Sequence, residues 1–439
     1  MKYIIGLLIL CIIIIFHEFG HFIAAKLSGV YVEEFAVGMG PTLVKHKSKK
    51  SGTVYSIHLL PIGGFCAMKG ENGDDKESDS FASASVLKRI AIIACGPIFN
   101  LIMAFVVAVI LIAGTGYDKP VVKDVTGKSV IAAGLEKGDT IVKYNNASVN
   151  SSKELYFEMW YNRDIGSTKD VNMVVKRNGK VKAISYKPDT EKKFAMGISY
   201  AANDNDGTLF ISNVMDDSAA EKAGLKTGDV IVSLDDQKAS STNRLSDYLQ
   251  EHPLDGSDMK IGYERNGKSH TLTLTPVVTN ISQQGFSYNM KNSKSSNVLL
   301  DTFYELRYNA KTVYKSLYGL VTGKFSLSDM SGPVAIVKTM GDTYQEAVKT
   351  QPVNSHTSWI DSFSSLMNLI IMISVNLGVL NLIPLPALDG GHLFFLLIEL
   401  IRRKPVNPKV ENMIHQVGLT ALIALSIVVI FKDVWSLLI

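Results

Sequence analysis

At 439 residues the chain is long enough for two or three domains, and its 46% hydrophobic content, clumped into long runs, points to a membrane protein. A net charge of +4, with no basic cluster interleaved with aromatics, gives no nucleic-acid signal. The three cysteines (Cys11, Cys66, Cys95) have no metal-ligand spacing and an odd count; they read as small apolar filler, not as a disulfide framework or thiolate site.

The first apolar run, Tyr3–Ala25, carries I-I-I-I-F-H-E-F-G-H over residues 12–21. On a helix, His17 and His21 stand one turn apart on one face, about 6 Å between Cβ atoms. Two imidazoles so placed can grip one Zn²⁺, and Glu18 beside them can take a proton from a water. Ionisable residues at the mouth of an apolar segment are costly in lipid, which marks a functional site. Two plainer readings compete. A signal peptide would use Lys2 as n-region and Ile4–Phe16 as h-region, but that h-region runs straight into His-Glu and no A-x-A-like site follows. A chance match is expected on the order of 0.01 times in a chain of this make-up.

Three more apolar runs follow, Ile90–Ala113, Leu366–Leu388 and about Val417–Phe431, each near the roughly 20 residues a bilayer requires. The loop from Lys26 to Arg89 holds nine Lys/Arg, and a short loop after the third run holds Arg402, Arg403, Lys404 and Lys409. The positive-inside rule places both loops in the cytoplasm, and both termini and the long insert after Gly114 outside. His17 then lies roughly 24 Å down its helix, near the cytoplasmic face. Within the first loop, Val54–Lys69 is apolar, has Pro-Gly-Gly at its centre and is too short to span as a helix.

The insert contains a repeat: A-G-L-x-x-G-D-x-I-V at 133–142 recurs at 223–232, and Gly197-Ile198-Ser199-Tyr200 recurs as Gly285-Phe286-Ser287-Tyr288. Two tandem modules are therefore expected at 117–203 and 207–291, each a small mixed β-fold with turns at Asn178-Gly179 and Asn266-Gly267. The pattern resembles a PDZ domain. The peptide-gripping loop, with Gly197, Ile198, Gly285 and Phe286, comes last in each module, as in circularly permuted PDZ domains. Such a groove takes a peptide as an added strand and can capture its C-terminal carboxylate; the alternative is that the modules act only as spacers or gates.

Residues 296–324 place Leu299, Leu300, Phe303, Leu306, Tyr314, Leu317, Tyr318 and Val321 at roughly helical spacing. This predicts an amphipathic helix lying on the outer membrane surface or packed on the modules. The third run ends N-x-x-P-x-P-x-L-D-G-G over residues 381–391. A carboxylate there is costly unless it meets a cation, and a run entering from outside brings Asp389 to about the depth of His17. Two His and one Asp leave a fourth zinc position open. Pro384, Pro386 and the glycine pair are expected to break the helix.

H-E-F-G-H in a first span, N-x-x-P-x-P-x-L-D-G-G in a third and permuted PDZ modules between them resemble the site-2 protease family of intramembrane zinc metalloproteases, in particular the bacterial regulator-of-sigma-E type. Cys95-Gly96-Pro97-x-x-Asn100 and Ser331-Gly332-Pro333 also resemble that group. The resemblance implies one Zn²⁺ per chain held by His17, His21 and Asp389, with Glu18 as the catalytic glutamate. It also implies substrate contacts at Asn381, at Asn100 and at Gly63 and Gly64, the last two on a re-entrant β-hairpin around 54–69. His58, on the same stretch, is not needed as a ligand.

The expected fold is a multi-pass α-helical membrane protein with four transmembrane helices and two tandem circularly permuted PDZ domains inserted between helices 2 and 3. Its parts are a membrane domain over 1–116, the two modules, an amphipathic helix and connector over 296–350, and a membrane domain over 360–439. The expected activity is hydrolysis of peptide bonds in or near the transmembrane segment of single-span membrane proteins, after a first extracytoplasmic cut. By resemblance these would be anti-sigma factors or signal-peptide remnants, with peptide C-termini as possible partners of the modules. Two other readings stand beside it: a membrane-anchored PDZ scaffold or chaperone with a non-catalytic metal site, and a tethered zincin cutting soluble proteins.

Overall fold

The computed structural model describes all residues except 1, 72–76, 162–168, 203–207, 216, 236, 239–241, 266, 291, 326–331, 350–358 and 439. The chain divides into two compact units, Met1–Asp118 with Lys291–Ile439, and Lys119–Met290.

The first unit begins with α1 (Lys2–Ser28), whose Leu/Ile-rich interior pairs its backbone groups within the helix, as an apolar medium requires. The strands β1 (Val32–Lys47) and β2 (Val54–Met68) follow, then α2 (Val86–Thr115). The apolar stretch 54–68 is thus not a hairpin by itself but one half of a sheet whose other half is β1. Both strands bend back on themselves: Phe35 pairs with Cys66 on one side and with Tyr55 on the other, and Tyr55 pairs in turn with His46. The bends fall at Gly38, Gly40 and Gly63, with φ of +85°, +86° and +80°, a region L side chains disfavour. Met39, Leu43, Val44, Ile57, Leu59 and Leu60 leave the far end of this sheet exposed and apolar.

Helices α1 and α2 approach closely where glycine permits it, since a Cβ on Gly20 would lie 2.3 Å from the Cys95 carbonyl oxygen.

Residues 119–290 carry two hydrophobic cores, and these do not follow the tandem boundaries 117–203 and 207–291. The elements are β3 (Val122–Val125), α3 (Lys128–Ala132), β4 (Thr140–Tyr144), β5 (Ala147–Ser148), α4 (Ser152–Tyr161), β6 (Val171–Arg177), β7 (Lys180–Tyr186), β8 (Thr190–Ala195) and β9 (Ile198–Ala202). They continue with β10 (Leu209–Val214), α5 (Ala219–Ala223), β11 (Val230–Leu234), β12 (Gln237–Lys238), α6 (Thr242–Glu251), β13 (Met259–Arg265), β14 (Lys268–Leu274), β15 (Val277–Ser282) and β16 (Phe286–Tyr288). Strand β9, which ends the first repeat, pairs with β10 of the second, and β16, which ends the second, pairs with β3 of the first. The cores agree: Met196 packs with Leu209, Ile231 and Ile261, whereas Phe286 packs with Val122, Ile141 and Val175. The second module is therefore a continuous insertion, about 195–277, within the first. The two crossings between them, β8 and β15, pair with each other from Thr190–Ser282 to Ala195–Val277.

Each core is tied at the repeated Gly-Asp. Arg177 donates to both carboxylate oxygens of Asp139 at 2.7 Å and to the Gly134 carbonyl at 2.8 Å. Arg265 does the same to Asp229 at 2.6 Å and to Gly224 at 2.9 Å. Burial alone would raise the Asp139 carboxyl, but the Arg177 guanidinium outweighs it and holds it below the usual carboxylate range.

The nested arrangement predicts that a fragment 195–277 folds cooperatively by itself. A fragment 207–291 lacks β9 and Met196, and is expected to be largely unfolded: a core methionine contributes about 2–5 kcal/mol, a large share of a small domain's stability. Circular dichroism melts of the two fragments check this; a cooperative transition in 207–291 but not in 195–277 reverses the assignment.

The first unit resumes with α7 (Val298–Val321), α8 (Pro333–Lys349), α9 (Trp359–Leu382), α10 (Asp389–Arg402) and α11 (Pro408–Leu438). On the expected amphipathic helix α7, Leu306 packs with Ala310 against Ala104, Ala108, Ile371 and Val375 of α2 and α9. Most of its apolar stripe (Leu299, Leu300, Phe303, Tyr314, Tyr318, Val321) stays exposed, while Asp301, Thr302, Glu305 and Asn309 are buried. The Gly332-Pro333 pair starts α8, with the buried carboxylate of Asp433 accepting from the backbone N–H of Gly332 at 3.3 Å and of Ala335 at 3.0 Å; Ser331 lies outside the described residues.

Among the described residues, four helices are long and apolar enough to cross a membrane: Tyr3–Ser28, Val86–Thr115, Ser362–Leu382 and Lys409–Val434. The third ends six residues before Leu388, the end expected from the apolar run. The prolines do end it, but the glycines do not break a helix. Gly390 and Gly391 form the first turn of α10, pressed against the preceding turn: a Cβ would lie 2.0 Å from the Ile383 carbonyl oxygen for the one and 2.6 Å from that of Leu385 for the other.

Candidate metal centre

Helix α1 carries His17 and His21 one turn apart, both 6% exposed, and α10 begins with Asp389 facing them. The Nε2 atoms of the two imidazoles lie 3.2 Å apart. Asp389 Oδ2 is 3.0 Å from Nε2 of His17 and 3.5 Å from that of His21. The rings meet edge to face, 79° between planes, so their in-plane lone pairs converge on one point and do not run side by side. Asp389 Oδ2 is buried with no hydrogen-bond donor among the described residues. A lone carboxylate oxygen held against two imidazole nitrogens is costly unless a cation completes the group. Two nitrogens and one oxygen on mutual contacts of 3.0 to 3.5 Å are the donor set and spacing of a tetrahedral zinc site with its fourth position open.

Helix α2 orients both imidazoles. His21 Nδ1 lies 2.9 Å from the Ile92 carbonyl oxygen, which can only accept; the proton is thereby fixed on Nδ1 and Nε2 is left free as a donor to metal. His17 Nδ1 is 3.1 Å from the side-chain amide of Asn100, which is fully buried. As placed, the amide nitrogen Nδ2 faces Nδ1; turning the amide over puts its oxygen there instead, which gives His17 the same tautomer and partners an oxygen otherwise unpaired. The sequence reading gave Asn100 a substrate contact; the structure puts it behind His17. Between these two partners stands Gly96, where a Cβ would lie 2.2 Å from His21 Nε2 and 2.9 Å from His17 Nε2.

Glu18 neighbours the ligand face, under the sheet: a Cβ on Gly64 would stand 3.6 Å from its Cγ. Gly63 accepts a weak hydrogen bond from the Cys11 thiol at 3.9 Å, so this bend of β2 reaches about 9 Å along α1 from His17, away from the α1 C-terminus. Asn381 sits in the last turn of α9, half-buried, and no hydrogen bond joins it to the cluster among the described residues. His58 is outside the cluster, with Nδ1 on the Gly40 carbonyl at 2.7 Å and Nε2 on the Ser56 hydroxyl at 3.0 Å. Gly197 and Gly285 belong to the 119–290 unit, at φ of +82° and +73° just before β9 and β16, which begin near Ile198 and with Phe286. All three cysteines are free thiols. Ile92 was not legible as a site residue, since a backbone carbonyl leaves no side-chain signature; Gly96 and Asn100 stood out only through the Cys-Gly-Pro-x-x-Asn motif, which does not place either beside the imidazoles.

The model of peptidase family M50 matches residues 5–425. A protein of Clostridium acetobutylicum whose name describes it as a zinc metalloprotease is 31% identical, over 98% of this chain and 96% of its own. The regulator of sigma E protease of Haemophilus influenzae is 30% identical over 97% and 96%, and that of Escherichia coli K12 30% over 96% of each chain. With a family match that takes in the candidate ligands and reaches from the first apolar helix into the last, the chain belongs to peptidase family M50, the site-2 proteases, and is a zinc metalloprotease of the membrane.

Proposed function

We propose that this protease cuts membrane proteins in or next to their transmembrane segments, with His17, His21 and Asp389 holding zinc and Glu18 moving the proton. The observation that carries this reading is the convergence of two imidazole nitrogens on α1, a helix apolar enough to span, with an orphaned carboxylate oxygen at the start of α10, seven residues past the end of another such helix. The chemistry zinc supplies when bound is Lewis acidity, which lowers the pKa of water toward about 7 and polarises a carbonyl. Glu18, beside the ligands but not among them, takes the proton of the attacking water and delivers it to the leaving amide nitrogen. Asn100 and the Ile92 carbonyl hold the imidazoles in the tautomer that leaves Nε2 free.

A transmembrane helix presents its peptide bonds shielded and hydrogen-bonded, so it must be unwound before it can be cut. The 64–68 edge of the β1–β2 sheet lies over Glu18 and pairs on one side only among the described residues. An unwound substrate segment added there as a strand recovers its lost hydrogen bonds, with Gly63 and Gly64 giving backbone access and Asn381 a further polar contact. Lysines 45, 47, 49 and 50 and the basic 402–409 loop set the cytoplasmic side, which leaves both termini and the 119–290 unit extracytoplasmic. We assign the two nested modules as permuted PDZ domains whose open strands β9 and β16 receive peptide C-termini or screen substrates by size. The substrates are single-span proteins already shortened outside, the class to which anti-sigma factors belong.

The test is cleavage of a single-span substrate in proteoliposomes, with the cut mapped by mass spectrometry. A cut inside or within a few residues of the span, abolished by chelation and restored by zinc, is expected; a cut confined to soluble substrates sinks the reading. The same assay tests the screen. Tyr117 and Ser293 pair backbone to backbone at 2.8 and 3.0 Å, so a short linker can replace 119–290. That deletion is expected to admit full-length substrates, and their continued exclusion rejects the size filter.

A further inference from the structure

Just beyond Asp389 a second group of potential ligands, His392, Glu411 and His415, comes together where α10 meets α11. Its geometry is not that of a metal site. The two imidazoles stack face to face, centroids 3.8 Å apart and planes 12° from parallel, so their in-plane lone pairs run side by side and do not converge. Nδ1 of His415 is already engaged: it accepts the backbone N–H of Ala387 at 3.0 Å.

That bond falls on an unusual residue. Ala387 has φ of +73°, a left-handed conformation that costs a residue with a Cβ. It lies in the turn between α9 and α10, two residues before Asp389. Pro384 and Pro386 give this turn no N–H groups at those positions, so the Ala387 N–H is one of few donors by which it can be fastened. Helix α11 presses on the same turn. A Cβ on Gly418, one turn after His415, would lie 2.3 Å from the Cβ of Pro386, and one on Gly391 would lie 2.9 Å from His415 Cε1. Meanwhile Nε2 of His415 is buried with no partner among the described residues. A leucine would fill the space without that unpaired atom, so packing alone does not account for a histidine here.

We propose that His415 is a positioning residue of the metal centre: it holds Ala387 in the left-handed turn that presents Asp389 to His17 and His21. The inference rests on the reading of Asp389 as a ligand, and it gives the last helix a role in the centre without contact to metal or substrate. Its contribution is to make the Asp389 position rigid, which governs how tightly three ligands close on one ion.

The experiment is a zinc-affinity titration of the full chain in detergent against a chromophoric chelator. The variants are His415→Leu, His415→Asn, Ala387→Gly, the His415→Leu/Ala387→Gly double and Asp389→Ala. His415→Leu is expected to weaken zinc roughly 10- to 100-fold. His415→Asn, whose Oδ1 takes the place of Nδ1, is expected to stay within about threefold of wild type. The double variant recovers most of the loss, because glycine holds a positive φ unaided. Wild-type affinity in His415→Leu, a His415→Asn no better than His415→Leu, or a double variant that recovers nothing each overturns the proposal. Asp389→Ala separates the layers: if it keeps wild-type zinc affinity the ligand reading itself fails, whereas if it loses zinc and His415→Leu does not, only the positioning role fails. Hydrogen exchange over residues 384–390 of the wild-type protein needs no variant; a protected Ala387 amide is expected, and exchange at the free-chain rate overturns the bond.

Discussion

Replacing Glu18 with glutamine is expected to leave zinc bound at one ion per chain and to slow cleavage of a single-span substrate by about 10²- to 10⁴-fold. Glutamine keeps the length and shape of the side chain but its amide cannot accept a proton at neutral pH. The proposed ligand trio is His17, His21 and Asp389, on mutual distances of 3.0 to 3.5 Å, and Glu18 contributes none of the three converging atoms. Metal content by elemental analysis and rates from the same preparation check both halves. Zinc lost together with activity would make Glu18 a ligand. Zinc retained with an undiminished rate would move the proton-transfer role elsewhere.

The parts of this architecture that sequence reasoning reached are those in which a side chain announces its own role. Apolar runs of adequate length pointed to four helices long enough to span, and H-E-x-x-H at the end of one pointed to two candidate ligands, because nothing but function justifies those residues there. Asp389 followed from depth: a carboxylate at the level of His17 needs a cation. What sequence reasoning missed was decided by neighbours in space. The repeats recur at nearly constant offset, which suggests tandem modules. Yet β9 pairs forward with β10 and β16 pairs back with β3, an exchange the offset does not encode. The arginines that fasten each module were nonetheless visible, since Arg177-Asn178-Gly179-Lys180 recurs as Arg265-Asn266-Gly267-Lys268. Strand β1 escaped because its Glu33, Glu34 and lysines mask the apolar pattern of a strand. Helix α10 escaped because a Gly-Gly pair reads as a breaker. A glycine costs a helix about 1 kcal/mol relative to alanine, but at 390 and 391 any Cβ would enter a carbonyl of the preceding turn, a far larger penalty.

The same argument from an absent Cβ gives the second large effect. Gly96→Ala, the addition of one methyl group, is expected to abolish zinc binding and with it activity, a loss of at least about 100-fold in metal affinity, the upper end for disturbing a ligand's surroundings. The added carbon would stand 2.2 Å from Nε2 of His21 and 2.9 Å from Nε2 of His17, the two atoms proposed to meet the metal. Relief by a helix shift is blocked. A Cβ-free Gly20 already lets α1 rest against the Cys95 carbonyl, where a Cβ would come within 2.3 Å. On its other side α2 is packed at Pro97, whose carbonyl oxygen would be 3.0 Å from a Cβ on Gly378 of α9. Relief by swinging His21 breaks its 2.9 Å bond to the Ile92 carbonyl, and swinging His17 breaks the 3.1 Å bond to Asn100. Ile98→Ala, two residues on at an exposed position of the same helix, is the control and is expected to retain zinc. The check is zinc content after mild chelator dialysis, together with a thermal melt to show that the helices remain packed. A folded Gly96→Ala protein with full zinc would mean that the imidazoles do not meet the metal through Nε2, and the ligand geometry drawn from His17, His21 and Asp389 would have to be abandoned.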